Sequence, residues 1–404
     1  MAMAEQPVGK SFRLSMLLYD TRYRSLTIQV IMLGLFVAGV WWLIGNMYSN
    51  LDDLGKRPNF AFLASPAGYD INQRLIEYTS QSTNARAWLV GLLNTLLVAA
   101  MGCVLATILG VMIGVLRLSK NWIVARVMTV YIEVFRNVPL LLLIIFAMSI
   151  FINTFPQPKE FRGDNATSSM FLDAFAFTNR GWYIPKPVFD NGSIIVIGVF
   201  LLSIVGIFIF GRWSKKRQEA TGEILPNFWI KLAILIIPTV AFYYILGKPI
   251  TLDYPALKGF NFKGGLHLRN SLIALWLALS LYTAAFIAEA VRAGIMAIDK
   301  GQTEAAAALG LRANRIMSLV VLPQALRVII PPLISQYLNL TKNSSLAIAV
   351  GYMDLTGTLG GITLNQTGRA LESILLLMIT YLTISLSISM VMNVYNNSVK
   401  LKER

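Results

Sequence analysis

Long apolar runs alternate with short polar stretches along nearly the whole chain, and the run length sets the reading. About 20 helical residues at 1.5 Å each cross a hydrocarbon core of roughly 30 Å. Runs of that order predict spans at about 27–44, 89–116, 193–210, 228–246, 271–291, 328–350 and 371–394. A further run, Leu140–Phe151, follows an amphipathic stretch from Trp122 to Phe135. Its start is open, because Pro139 can lie inside the span or at its first turn. The expected fold class is an all-α polytopic membrane protein with about eight transmembrane helices. Within the second span Gly102, Ala106, Gly110 and Gly114 recur every four residues, a small-residue stripe that lets another helix approach closely.

One polar stretch between two spans reads differently from the rest. Gly301 to Pro323 is Ala-rich and basic, and Ala is the best helix former. Gln302 to Leu309 is therefore expected as a short helix, with Asp299 or Gly301 near its start and Gly310 as its stop. Two turns of helix are marginal alone and hold their shape by docking. This stretch is a contact element.

Composition confirms the membrane and narrows the chemistry. Hydrophobic residues make up 56% of the chain and charged ones 14%, where soluble proteins carry about a quarter; mean hydropathy is +0.62. The net charge of +15 does not point to nucleic acid, because the cations fall in short loops and form no single face. Placing 1–27, 116–130, 211–231, 292–330 and 395–404 on one side collects 20 Lys and Arg, against 13 on the other. The positive-inside rule then puts both termini and the 299–327 loop in the cytoplasm. Cys103 and His267 are each the only residue of their type, so there is no intrachain disulfide and no His/Cys zinc ligand set. His267 is expected as a solvated side chain at a membrane edge. Residues Ala4 to Ser11 miss the phosphate-binding loop pattern, with Ala4 where its first glycine belongs, so the chain is not expected to bind ATP.

Glu304-Ala305-Ala306, three residues, Gly310, nine residues, the aliphatic Val320, one residue and Leu322-Pro323 resemble the EAA loop of ATP-binding cassette importer permeases. Val320 stands where that family usually has Ile. Asn94-Thr95-Leu96, Phe135-Arg136-Asn137-Val138-Pro139, Tyr282 through Glu289 and Lys342-Asn343-Ser344-Ser345-Leu346 are similar to the polar amino-acid branch, the histidine/glutamine-permease-like family. The resemblance covers roughly half of the chain and implies the type I importer permease fold. Its five-span core would map to 89–152 and 266–404, to which 1–88 adds an N-terminal helix and 153–265 an inserted helix pair. Chains extended in this way resemble the permeases of general L-amino-acid importers in the inner membrane of Gram-negative bacteria.

The resemblance also implies partners. The loop would be a coupling helix that docks on an ATPase dimer through Gly301, Gln302, Thr303, Glu304, Ala305, Ala306, Gly310 and Pro323. A second related permease, or a copy of this chain, and a periplasmic amino-acid-binding protein would complete the assembly among membrane lipid. ATP and Mg would belong to the ATPase, leaving this chain no cofactor and no catalytic residue.

A zwitterionic substrate needs polar groups inside the bilayer, where each ionisable residue costs roughly 2.5–3.5 kcal/mol on insertion scales. Ser335, Asn339, Lys342 and Asn343 share one face of the seventh span, and Thr380, Thr383 and Ser387 make a stripe on the eighth. Asn339, Lys342, Asn343 and Thr380 are candidate path residues, with Arg136 and Glu289. The competing reading is helix–helix hydrogen bonding, with Lys342 reaching outward and Glu289 paired to Arg292 three residues on. At the level of the whole protein the competitor is an ion-gradient-driven transporter or channel, which predicts internal repeats and midplane carboxylates. No clear repeat is found.

Overall fold

The computed structural model describes residues 21–399 apart from 56, 163–165 and 224. The near-miss phosphate loop and the terminal cations Lys10, Arg13, Lys400, Lys402 and Arg404 lie outside the described residues. The principal helices are α1 (Thr21–Asp53), α2 (Asn84–Arg117), α3 (Trp122–Asn137), α4 (Leu140–Thr154), α5 (Ser193–Thr221), α6 (Asn227–Ile245), α7 (Asn270–Met296), α8 (Lys300–Ala308), α9 (Leu322–Asn343) and α10 (Ala370–Val399). Seven of the segments between residues 23 and 396 are long and apolar enough to cross a membrane, eight if the bent pair α3–α4 is one span.

The core is built on α7. Its most apolar stretch is 72% buried, where small residues (Ala274, Ala278, Ala284, Ala288) are interleaved with Leu275, Leu279 and Ile287. The predicted small-residue stripe on α2 faces it. A Cβ at Gly110 would lie 2.6 Å from the Ile287 side chain, and one at Gly114 would lie 2.7 Å from the Ala288 carbonyl. Lipid is as apolar as leucine, so close van der Waals approach of this kind is what joins helices in a bilayer. From the other side Ile329 and Ala325 of α9 close on Gly294, again where no side chain intervenes.

The open start of the span at Pro139 has a definite answer. Asn121 caps α3 by accepting from the Ile123 and Val124 amides at 3.0 and 3.4 Å, and Pro139 is the N-cap of α4. The two helices meet at 107°. Proline disfavours helical backbone at the residue before it, and Val138 is accordingly extended.

The appended helices behave otherwise. None of the apolar stretch of α1 or α6 is buried, and 11% of that of α5. Strands β3 (Lys186–Phe189) and β4 (Ile250–Asp253) pair antiparallel at one end of the α5–α6 hairpin, with Phe189 opposite Ile250. The stretches 153–192 and 247–269, read from sequence as polar loops, in fact carry a small β cap. Its other strands are β1 (Ala176–Thr178), β2 (Gly181–Ile184), β5 (Ala256–Lys258), β6 (Asn261–Lys263) and β7 (Leu266–Leu268), paired β1–β2–β7 and β5–β6. Strands of three or four residues are too short for an alternating pattern to stand out in the sequence. His267 is not solvated as expected. Its ring stacks on Tyr183 at 4.2 Å, with Nε2 3.2 Å from the Arg180 carbonyl.

The stretch 351–370 is likewise not a plain loop. Gly351 turns the chain in the left-handed region, Tyr352 to Leu355 fold back against α2, and Thr356–Thr363 continue as a π-helical segment.

Candidate functional site

The polar stretch between α7 and α9 folds as a capped helix. Asp299 accepts from the Gly301 amide at 2.7 Å, which starts the helix at Lys300, two residues before the predicted point. At the other end the Gly310 amide reaches the Ala307 carbonyl (2.9 Å) and the Leu311 amide the Ala306 carbonyl (3.3 Å). This is the Schellman stop, and Gly310 holds the left-handed φ of +77° that it requires. Ala306 is the buried contact of α8; Gly301, Gln302, Glu304, Ala305 and Pro323 are exposed and Thr303 half-buried. Beyond Gly310 come one turn at Ala313–Ile316, a π-helical turn at Met317–Val321, and α9 with Pro323 in its first turn.

Two features make this surface suited to a partner. Leu309 is 83% exposed, and Leu311, Met317, Leu319 and Leu322 are also exposed, as are Lys300, Arg312 and Arg315 in the same stretch of chain. Exposed leucines at this density, five apolar side chains within fourteen residues, suit an interaction surface. Beside it Gln302, Leu319, Val320, Pro323, Gln324 and Arg327 line a groove of about 520 Å³.

The candidate path residues do not form one group. Ser335, Asn339 and Lys342 are exposed along α9 and Asn343 is half-buried, so the polar stripe faces away from the protein's own core. Lys342 sits in the last turn of α9, where the helix dipole favours a cation, and pairs with no carboxylate among the described residues. Thr380, by contrast, is buried. Its hydroxyl donates to the Leu376 carbonyl (2.6 Å) and accepts from Trp88 Nε1 (3.3 Å), which joins α10 to α2.

Glu289 is held in a three-part ion cluster near the end of α7. Arg292 Nη2 lies 2.6 Å from Oε1, and Arg117 of α2 bonds Oε2. The Arg292 pairing was legible from spacing, whereas Arg117 was not, because nothing local shows that α2 ends beside α7. Arg136 is exposed on the last turn of α3, its guanidinium 5.4 Å from the Phe286 ring. Tyr131 adds a hydrogen bond to the Leu281 carbonyl at 2.7 Å. Both tie the elbow to α7.

Other polar residues surface only in three dimensions. Asn94 and Thr95 lie ten residues into α2. Asn94 Nδ2 donates to the carbonyls of Gln73 (2.7 Å) and Met353 (2.8 Å), and Thr95 accepts from the Leu355 amide (3.0 Å). Asp354, fully buried at this fold-back, accepts from the Gly357 amide (2.8 Å) and the Tyr381 hydroxyl (3.2 Å). Burial pushes its carboxyl up to about 6. No sequence spacing links 94 to 354.

Residues 221–401 match the family model described as binding-protein-dependent transport system inner membrane component. Over its whole length the chain is 56% identical to the glutamate/glutamine/aspartate/asparagine transport system permease protein BztB of Rhodobacter capsulatus, all of which is covered. It is 47% identical to the general L-amino acid transport system permease protein AapQ of Rhizobium johnstonii, over 98% of this chain and 96% of that one. Identity to the putative amino-acid ABC transporter permease protein YhdX of Escherichia coli is 45%, over 94% and 95%.

Proposed function

The chain belongs to the binding-protein-dependent transport system inner membrane components, as a permease subunit of an ATP-binding cassette amino-acid importer, and from that premise we propose that α8 is where a separate ATPase dimer pushes on it. The observation that carries the proposal is a two-turn helix capped at both ends that buries only Ala306 and is followed along the chain by the exposed side chains of Leu309, Leu311, Met317, Leu319 and Leu322. Such a lever transmits force when its two positions bind the partner differently. Glu304, exposed at mid-helix, supplies a charged contact, and Gly310 lets the chain turn without strain. Both termini and α8 then face the cytoplasm, and ATP and Mg belong to the ATPase.

The exposed stripe Ser335, Asn339 and Lys342 would line the path together with a second permease, either a related subunit or a copy of this one. A lone cation there suits the carboxylate of an amino acid delivered by a periplasmic receptor. An ion-gradient-driven transporter is not favoured by the relatives that match the full length of the chain.

Gly310→Val tests the lever. A β-branched residue in the left-handed region costs about 1–2 kcal/mol, enough to lower coupled uptake about tenfold. The ATPase should still co-purify and hydrolyse ATP. Normal uptake in this variant would remove the lever. Lys342→Met tests the path: losing a charge-assisted bond of about 1.5–3 kcal/mol raises the KM for uptake about tenfold or more. An unchanged KM takes Lys342 out of it.

A further inference from the structure

The connection from α1 to α2 carries a polar hollow that the lever and the path leave unused. Residues 67–82 form no regular helix or strand, yet the loop is firmly held. The Ala67 amide donates to the Ser82 carbonyl and the Gly68 amide to the Ser80 carbonyl, both at 2.8 Å. Tyr69, Ile71 and Tyr78 are buried with Ala87 and Val90 of α2, and the Tyr78 hydroxyl donates to the Tyr69 carbonyl at 2.9 Å. The Gln73 carbonyl accepts from Asn94 of α2, and Gln73 Oε1 accepts from the Arg269 amide at 3.3 Å, where α7 begins. From this end α2 and α7 run to the Arg117–Glu289 pair, beyond which α7 leads into α8. The loop therefore lies on the side of the core opposite α8.

Burial alternates along the stretch: Tyr69 and Ile71 are inside, and Asp70 and Asn72 are exposed. Asp70, Ile71, Asn72, Arg74, Thr79 and Ser80 line one hollow of about 350 Å³, within the roughly 300–1,000 Å³ of small-ligand clefts. Arg74 is steadied by one bond, from Nη1 to the Tyr78 carbonyl, and a guanidinium has further N–H groups to offer. Asp70 and Arg74 form no ion pair with each other or with any other residue among the described residues. One hollow thus presents a carboxylate and a guanidinium that do not neutralise each other. A lone cation entering it meets Arg74, and a lone anion meets Asp70. A small molecule that carries both charges satisfies both.

We propose that this hollow is a receiving site for a free α-amino acid, its ammonium on Asp70 and its carboxylate on Arg74, with Asn72, Thr79 and Ser80 available to a polar side chain. The proposal rests on amino-acid import but not on the α8 lever or on Lys342. Exposed charge pairs are weak in water, which suits a site that must release what it takes up. The burial of Tyr69, Ile71 and Tyr78 fixes the loop before the solute arrives, so little ordering is left to oppose binding.

The test uses the full-length chain with its co-purifying subunits, in nanodiscs and without soluble receptor. L-Glutamine is titrated and its binding followed by saturation-transfer NMR, beside N-acetyl-L-glutamine, which lacks the ammonium, and L-glutamine α-amide, which lacks the carboxylate. Glutamine should bind, and each analogue should bind about fivefold more weakly. Asp70→Asn and Arg74→Gln should each weaken glutamine binding by a similar factor, about fivefold. Arg74→Lys keeps the charge and should stay closer to wild type, which separates the charge from the bond to the Tyr78 carbonyl. Glu77→Gln alters a charge of the same loop that does not line the hollow, and should change nothing. Equal binding of all three ligands would overturn the proposal, as would full glutamine affinity in the Asp70→Asn/Arg74→Gln double variant. If Lys342→Met alone abolished binding, the solute would sit in the path; the receiving site would then fall and the transport reading would stand.

Discussion

Helices α7 and α6 are both apolar enough to span a bilayer, yet the most apolar stretch of α7 is 72% buried and none of that of α6 is. Apolarity says that a helix enters the membrane and nothing about what it meets there. The difference lies in the small residues and in polar groups at fixed depth. α7 and its neighbour α2 carry glycines and alanines at four-residue spacing, so backbones touch and Ile287 and Val291 lock into the gaps. In α1 the glycines at 34, 39 and 45 keep no such spacing, and a Cβ on any of them would meet nothing within 4 Å. The core is thus a set of helices cut to fit one another, whereas of the additions α5 and α6 fit mainly each other, with Gly206 against Ile234 and Ser214 bonded to Asn227, and α1 buries none of its apolar stretch.

The sharpest way to break this contrast is to fill one gap on each side. Gly110→Ile forces a side chain onto Ile287 and toward the Ala284 carbonyl at 3.0 Å, which backbone cannot yield. Overpacking of this kind costs about 3 kcal/mol or more, and the variant should be lost from the detergent-soluble, monodisperse fraction. Gly34→Ile on α1 should be recovered like wild type. Equal losses would mean that α1 is packed after all. A smaller contrast compares two carboxylates. Glu289→Gln leaves Arg117 and Arg292 facing each other at side-chain exposures of 18% and 28%, which after allowance for partial solvation costs about 1–2 kcal/mol and a few degrees in Tm. Glu219→Gln, whose partner Lys215 is 79% exposed, should change Tm by less than about one degree.

The same contrast governs what could be read from the sequence. Spans, the bracketed helix at 300–308 and its glycine stop follow from local rules, since run length, alanine content and a cap are all contained within twenty residues. The stripe Gly102-Ala106-Gly110-Gly114 announced a close neighbour but could not name α7. What no local rule reaches are pairings across long stretches of chain. Arg117 meets Glu289, Trp88 meets Thr380, and Asn94 meets Met353, because α2 lies beside three elements that arrive more than 150 residues later. The candidate path was only partly legible for the same reason. Helical spacing put Asn339 and Lys342 on one face of a span, and both are exposed on α9, but whether Thr380 faces them or α2 depends on where α10 docks. Chemistry named the residue types, and packing decided their directions.

The smallest effect belongs to the β cap, which lies outside the membrane helices and titrates. His267 stacks on Tyr183 between β2 and β7, and burial, aided by repulsion from Arg269, lowers its pKa below the ordinary 6.5; the bond to the Arg180 carbonyl opposes this. In the unfolded cap the imidazole titrates near 6.5. As pH falls through that value the unfolded form takes up a proton that the folded form still refuses, so stability falls with pH until the lower, folded pKa is passed. Above about pH 7 both forms are neutral and the slope vanishes. Amide exchange at Tyr183 and Leu268, corrected for the intrinsic rate, should therefore quicken between pH 7.5 and 5.5. At Leu279 in the core of α7 it should not quicken, because Asp354, the buried carboxyl near that core, takes up its proton first in the folded form, which opposes any loss of stability as pH falls. A His267→Phe variant keeps the stack and removes the titration, so its cap should exchange alike at both values. If wild type and variant respond to pH equally, the imidazole is not the source, and the cap owes its stability to the Phe262 and Trp182 contacts alone.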